Sequence, residues 1–192
     1  MNPTKNLEQI EQEFKASLVM PEKPAQQIFF CPVGLVGAGK TTIIKPISER
    51  LHLLRLSTDE LRKLLKESGH TYEHLKELYY KIVREYTNQG YSIAFDFDCG
   101  SKEAKDAISS EAERLGAKVI WVHINTPQDF IFEKFRNHPP SWLADNPQVM
   151  IDNYLSQKAK REKENLTFDF IYTFDTSRPD VKEQIEECLH LI

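Results

Sequence analysis

The stretch that most constrains this chain is Gly34-Leu35-Val36-Gly37-Ala38-Gly39-Lys40-Thr41, set between an apolar run, QIFFCPV (27–33), and the start of an apolar helix. It satisfies GxxxxGK[ST] at every fixed position. A backbone bare of bulky side chains lets successive N–H groups point into one concavity, and the N-terminus of the following helix adds unpaired donors and the positive end of its dipole. Such a loop surrounds a phosphate chain. Its lining is expected to be Gly34, Gly37, Ala38, Gly39, Lys40, Thr41 and Thr42. Lys40 would reach the β- and γ-phosphates of a nucleoside triphosphate, and Thr41 would offer its hydroxyl to Mg²⁺.

The rest of the chain alternates between two hydrophobic periods. After a helix over 6–18, with Leu7, Ile10, Phe14 and Leu18 at helical spacing, comes a linker holding Pro21 and Pro24. Strands are expected over 27–33, 53–57, 91–98, 117–124 and 168–174, separated by helices over 40–51, 58–68, 72–88, 101–115, 127–137, 148–164 and 180–190. Pro32 suggests the end of the first strand, and Pro46 a kink or a locally open ladder in the helix after the glycine loop. Ser57 and Glu60 stand in capping-box spacing. Five strands interleaved with helices predict an α/β three-layer sandwich: a P-loop NTPase fold with a five-stranded parallel sheet and helices on both faces. The expected organisation is an N-terminal helix and linker over 1–26, then one P-loop domain over 27–192 with a lid-like segment at about 134–163.

Composition narrows the class by exclusion. At 192 residues the chain suits one domain with a single buried core. A net charge of −4 argues against broad, nonspecific nucleic-acid binding, although a small basic site gripping a nucleic-acid end remains open. No apolar run is long enough to cross a membrane, and the polar, acidic start does not read as a secretory signal. Three widely spaced cysteines make disulfides and a structural zinc site poor expectations, leaving a cytoplasmic protein as the default. His70, His123 and His138 share no metal-binding spacing.

Three further stretches carry chemistry. STDELR (57–62) falls at the C-terminal end of a strand, where α/β proteins place ligands. Asp59 there suits a base accepting a proton from an attacking hydroxyl, and Arg62, a turn later, suits an acceptor-side cation. The same residues also read as an ordinary helix cap. In IAFDFD (93–98), Asp96 ends an apolar strand, where a P-loop protein holds the water shell of Mg²⁺. Asp98 reads as a solvated turn acid. The third stretch is 134–163, where Lys134, Arg136, Lys158, Lys160, Arg161 and Lys163 flank a proline-broken connection, NHPPSWLADNP (137–147). Cations on such a segment suit closure over phosphates, with Arg136 the first candidate, while the charged helix also reads as a solvated face. Tyr72, His74, Tyr79, Tyr80 and Tyr86 either line an acceptor pocket or belong to an amphipathic helix that covers the sheet.

Taken in order, GLVGAGKTT, LSTDELR, GYSIAFDFD and GAKVIWVHINTPQDFIFEKFRN resemble the small P-loop kinases of the polynucleotide-kinase and zeta-toxin type, also described as AAA-like ATPase domains, over roughly residues 27–178. The resemblance implies ATP-dependent phosphorylation of a hydroxyl. It matches Asp59 to the general base, Arg62 to the acceptor-side arginine, Asp96 to the strand-end acid near the metal and Arg136 to the lid arginine. FDTSRPD (174–180) matches the loop against the adenine, through Ser177 or Arg178. The lid differs from the family pattern, with no second arginine until Arg161.

The expected activity is therefore transfer of the γ-phosphoryl group of ATP to a hydroxyl on a small molecule, a nucleotide or a nucleic-acid end. The alternatives are a nucleotide-dependent switch or assembly ATPase, and a toxin-type nucleotide-sugar kinase. A GTPase is disfavoured because no NKxD-type motif is present and no DxxG follows IAFDFD.

Overall fold

The computed structural model describes residues 4–137 and 146–192. In chain order its elements are α1 (Leu7–Ala16), β1 (Ile28–Val33), α2 (Lys40–Arg50), β2 (Leu54–Ser57), α3 (Thr58–Glu67), α4 (Leu75–Asn88), β3 (Ile93–Asp96), α5 (Lys102–Leu115), β4 (Lys118–Ile124), α6 (Gln128–Asn137), α7 (Pro147–Glu164), β5 (Phe170–Phe174) and α8 (Val181–Leu189). The five strands form one sheet in the order β2-β3-β1-β4-β5, parallel throughout.

Alternation along the central strands divides the core into two layers, as a pleated backbone requires. Phe29 and Cys31 of β1, Leu54 and Leu56 of β2, and Ile93 and Phe95 of β3 pack on one face with residues of α1, α3, α4 and α5. Phe30, Ala94, Ile120, Val122 and Ile124 face the other way, toward α2, α6, α7 and α8. Ile10 and Phe14 of α1 are fully buried in the first layer. At roughly 1.5–3 kcal/mol per fully buried side chain, these two residues anchor α1 against that layer. Asn6 and Gln9 form a complete capping box at its start.

Two local expectations change in the structure. Pro32 lies inside β1, paired in register with Val122. The strand tolerates it because the β1–β3 ladder ends at Phe30 and Ala94, and the Pro32 carbonyl instead accepts from the Cys99 N–H at 2.9 Å. The capping box at α3 forms only in half. The Ser57 hydroxyl accepts from the Glu60 N–H, but the Glu60 carboxylate turns to Arg55 at 2.7 Å. The helix α2 runs through Pro46 to Arg50.

Because β1 lies between β3 and β4 at the middle of the sheet, its C-terminal end and that of β3 open onto the crevice where the strand order reverses. The glycine loop follows the first of these strands and the acids of IAFDFD end the second. No described helix is long and apolar enough to cross a membrane.

Candidate active site

The loop after β1 is held by its neighbours rather than by its own side chains. Gly37 and Gly39 have φ of 80° and 91°, a region that side chains disfavour. The Ala38 carbonyl between them accepts hydrogen bonds from the hydroxyls of Thr126 and Thr176, at 2.9 and 2.8 Å. These threonines follow β4 and β5, so the far half of the sheet buttresses the loop. A Cβ at Gly39 would stand 2.7 Å from the Thr176 hydroxyl, and one at Gly37 would run into Phe135. No side chain caps α2, whereas Asn6, Ser57, Ser101 and Asn146 cap α1, α3, α5 and α7. Unpaired N–H groups at that helix start give an anion a place to bind.

These groups face a cavity of about 550 Å³ at the C-terminal edge of the sheet. Of the residues nominated from sequence, Gly37, Gly39, Lys40, Thr41, Thr42, Asp59, Arg62 and Asp96 line it. Gly34 and Ala38 lie buried behind it. The Lys40 amine donates to the carbonyls of Gly34 and Leu35, at 2.9 and 3.0 Å. Burial pushes its pKa down, an effect that Asp98 and Asp59 oppose and the nearby Arg161 reinforces.

Asp59 stands at the start of α3, paired with Arg62 at 2.5 Å. Burial in the cavity raises its pKa, although the charges of Arg62 and Lys40 pull it back. The Arg62 guanidinium also lies over the Tyr72 ring, 5.7 Å from its centroid. Tyr79 and Tyr86 are core residues, and the Tyr79 hydroxyl donates to the Leu56 carbonyl. Most of the aromatic character of α4 therefore covers the sheet.

Asp96 is buried, with both oxygens engaged. The Thr41 hydroxyl donates to Oδ1 at 2.9 Å, and Arg55 Nε donates to Oδ2 at 2.8 Å. Arg55 was not singled out from the sequence. It lies on β2 beside β3, where Ser57 pairs in register with Asp96, and only that register reveals it. The Thr41 and Asp96 oxygens are the hard donors that Mg²⁺ accepts. Among the described residues no group of three or more His, Cys, Asp and Glu is arranged to hold a metal by protein ligands alone.

Asp98 is not a solvated turn acid. Its Oδ1 accepts from the N–H groups of Gly34 and Gly100, at 3.2 and 3.0 Å, and its Oδ2 pairs with Arg161 of α7. Gly100 makes room for this pair, because a Cβ there would stand 2.3 Å from the Arg161 guanidinium. Arg161 thus returns to the cavity from the C-terminal half of α7. Arg136 is exposed on α6 and does not line the cavity, whereas Lys134 does. Two residues along a helix turn the side chain through about 200°, so the two cations face opposite ways. Arg178 is also exposed and away from the cavity, paired with Asp180 in the turn before α8. From its loop it is Thr176 that reaches the glycine loop. Most of the proline-broken connection, with His138, lies outside the described residues.

Residues 30–163 match the AAA-domain family, and the chain belongs to it. No curated protein matches the sequence. Among solved structures the chain is similar to the Mycobacterium tuberculosis APS kinase CysC in complex with AMPPNP and APS, at 16% identity and a TM-score of 0.58, covering 88% of this chain and 98% of that one. A structure from the PezAT chromosomal toxin–antitoxin system of Streptococcus pneumoniae aligns at 16% identity and a TM-score of 0.59, over 96% of this chain and 93% of that one. Shikimate kinase from Bacteroides thetaiotaomicron aligns at 18% identity and a TM-score of 0.51, over 86% and 96% respectively. At these identities the likeness is one of fold, that of the small P-loop kinases.

Proposed function

We propose that this chain is an ATP-dependent kinase that moves the γ-phosphoryl group to a hydroxyl of a small molecule, a nucleotide or a nucleic-acid end. One observation carries the reading: a phosphate-binding loop with Lys40 and Thr41, a strand-end acid bonded to that threonine, and an Asp–Arg pair on a third element all line a single cavity. A switch ATPase needs the first two but has no use for the third.

In this reading Gly37, Ala38, Gly39, Lys40, Thr41 and Thr42 hold the phosphates, and Lys40 neutralises the charge developing between the β- and γ-phosphates. Thr41 and Asp96 hold Mg²⁺, which supplies further charge neutralisation when bound. Arg62 grips the acceptor. Asp59 orients its hydroxyl and takes its proton, a task suited to a carboxyl whose pKa is raised by burial. Arg161 and Lys134 take the place on the lid side that the sequence suggested for Arg136. The kinase occupies residues 27–192, α6 and α7 form its lid side, and α1 supports the layer that carries α3.

The test is incubation with γ-labelled ATP, Mg²⁺ and a panel of 5′-hydroxyl oligonucleotides, nucleosides, nucleotide sugars, aminoglycosides and small hydroxy acids. Label is expected on one acceptor class with the wild-type protein, and at least about 10³-fold less with Lys40→Ala, since the loop lysine acts directly on transferring charge. Hydrolysis that depends on protein concentration, with no acceptor labelled, would favour the assembly ATPase. Toxicity on expression that Lys40→Ala relieves would single out the nucleotide-sugar acceptors.

A further inference from the structure

One contact at the glycine loop has no part in the reading above. The Gln157 side-chain carbonyl, from α7, accepts the N–H of Val36 at 3.1 Å, and both residues line the cavity. Val36 is the third residue of the loop, immediately after the two carbonyls that seat the Lys40 amine. A terminal phosphate carried by Lys40 would therefore come within reach of the Val36 N–H, with the inner phosphates toward the start of α2. Arg161 is four residues beyond Gln157, on the same face of α7, and pairs there with Asp98 over Gly100.

We propose that Gln157 is a positioning residue that stands in for the terminal phosphate of the nucleotide and, by leaving Val36 when that phosphate arrives, frees Arg161 from Asp98. This rests on the kinase reading of the same cavity. A phosphoryl oxygen is anionic and accepts the Val36 N–H more strongly than an uncharged amide carbonyl does, so a nucleoside triphosphate displaces Gln157. A diphosphate lacks the group that reaches Val36, and Gln157 stays. Once α7 is untied at Gln157, Arg161 can exchange the Asp98 carboxylate for the transferring phosphoryl group. After transfer Gln157 returns to Val36. The residue thus links the presence of a transferable phosphate to the position of the lid cation.

Two variants move the balance in opposite directions, and both alter an exposed position that leaves the core untouched. Affinities for ADP and for a non-hydrolysable ATP analogue are measured by calorimetry. Gln157→Ala removes the competitor and is expected to tighten the ATP analogue about fivefold, the worth of one ordinary hydrogen bond, with ADP unchanged. Gln157→Glu strengthens the tie to Val36 and repels the terminal phosphate, and is expected to weaken the ATP analogue about tenfold while affecting ADP less. NMR hydrogen exchange gives a second readout. Without nucleotide, the Val36 amide exchanges faster in Gln157→Ala than in the wild type, and the ATP analogue restores protection where ADP does not. Equal shifts for both nucleotides, or unchanged Val36 exchange, would overturn the proposal and leave the kinase reading standing. A wild-type protein that binds neither nucleotide would overturn both.

Discussion

Glu11 and Asp98 are both carboxylates gripped by cations, one in the layer of α1 and α4, the other beside the glycine loop. Glu11 is buried and bonded to Lys15 at 2.5 Å and Lys81 at 2.7 Å, and Lys15 extends the chain to Glu85. Every partner in that group is a side chain of α1 or α4, and none of the four lines the cavity beside the glycine loop. Asp98 and its neighbours use the same residue types around an opening. Asp98 holds Arg161 and two backbone amides, Asp59 holds Arg62, Asp96 holds Thr41 and Arg55, and Lys40 rests on carbonyls. Of these, the pairs that line the cavity stand where a charge on a ligand can take the place of one partner. Ion pairs that bridge two helices hold them against each other, whereas pairs beside the phosphate-binding loop stand where a ligand's charges can replace a partner. The two regions should therefore respond to mutation in opposite ways, one in stability and the other in turnover.

The largest effect is expected at Asp59. Asp59→Asn should lower phosphoryl transfer by about 10²–10⁴-fold, the usual contribution of a positioned base, while binding of ATP, read by calorimetry, stays near the wild-type value. Its thermal midpoint should not fall. Burial raises the Asp59 pKa, so its charged form is disfavoured in the folded protein, and a neutral isostere removes that cost at pH 7. For the same reason the wild-type rate should climb with pH through an acidic limb lying above the ordinary aspartate value of 3.8. A variant that retains transfer would remove the base, and one that loses stability instead would erase the contrast between the two regions.

A smaller effect is expected from Gly100→Ala. The added methyl group would collide with Arg161 and with Val33, at 2.3 and 2.8 Å. Arg161 is the movable partner, so the methyl group should drive it from Asp98. Turnover is expected to drop by about tenfold, less than the 10²–10³ seen on deleting a charge-stabilising donor outright, because a methyl group on the cavity wall obstructs the space the released guanidinium moves into without removing the cation. Steady-state kinetics at saturating ATP measures this. Unchanged turnover would mean that Arg161 serves only to dock α7.

Which of these groups was visible in the sequence follows from how each is positioned. The glycine loop, Asp59 and Asp96 are legible because each is set by local chain geometry: a motif between strand and helix, the first turn of a capped helix, and the last residue of an apolar strand. The five strands and their order of appearance are legible for the same reason, since hydrophobic period is a local property. Asp98, Arg55, Thr126, Thr176 and Gln157 act through partners 41 to 138 positions away along the chain, and no local pattern distinguishes them from solvated polar residues. Lys134 and Arg136 carry the same charge two positions apart, and only the helix face that bears each, which charge alone does not reveal, separates them. Gly100 did leave a trace. A glycine two residues after the second of two closely spaced acids is consistent with a close approach, and here the approaching group is the Arg161 guanidinium.

The smallest effect is expected at Glu11, and it tests the other half of the comparison. Burial by itself pushes the Glu11 carboxyl up, but hydrogen bonds and charge from Lys15 and Lys81 together outweigh it and hold the pKa below 4.5. A folded-state pKa lower than the unfolded one contributes stability at pH values above the unfolded value, and that contribution disappears as the pH falls through the folded value. Glu11→Gln should therefore cost about 1–2 kcal/mol at neutral pH, the loss of a charge-assisted bond partly replaced by the amide. In a chain of this size that is a drop of about 2–8 °C in the thermal midpoint. The difference from wild type should be constant from pH 7 down to about 5 and close progressively below 4.5, as the wild-type carboxyl takes up its proton. Turnover per folded molecule should not change, since Glu11 faces α4 and not the cavity. A Glu11→Gln protein as stable as the wild type at pH 7 would show that these ion pairs contribute nothing, and one with impaired turnover would show that α1 reaches the site through α3.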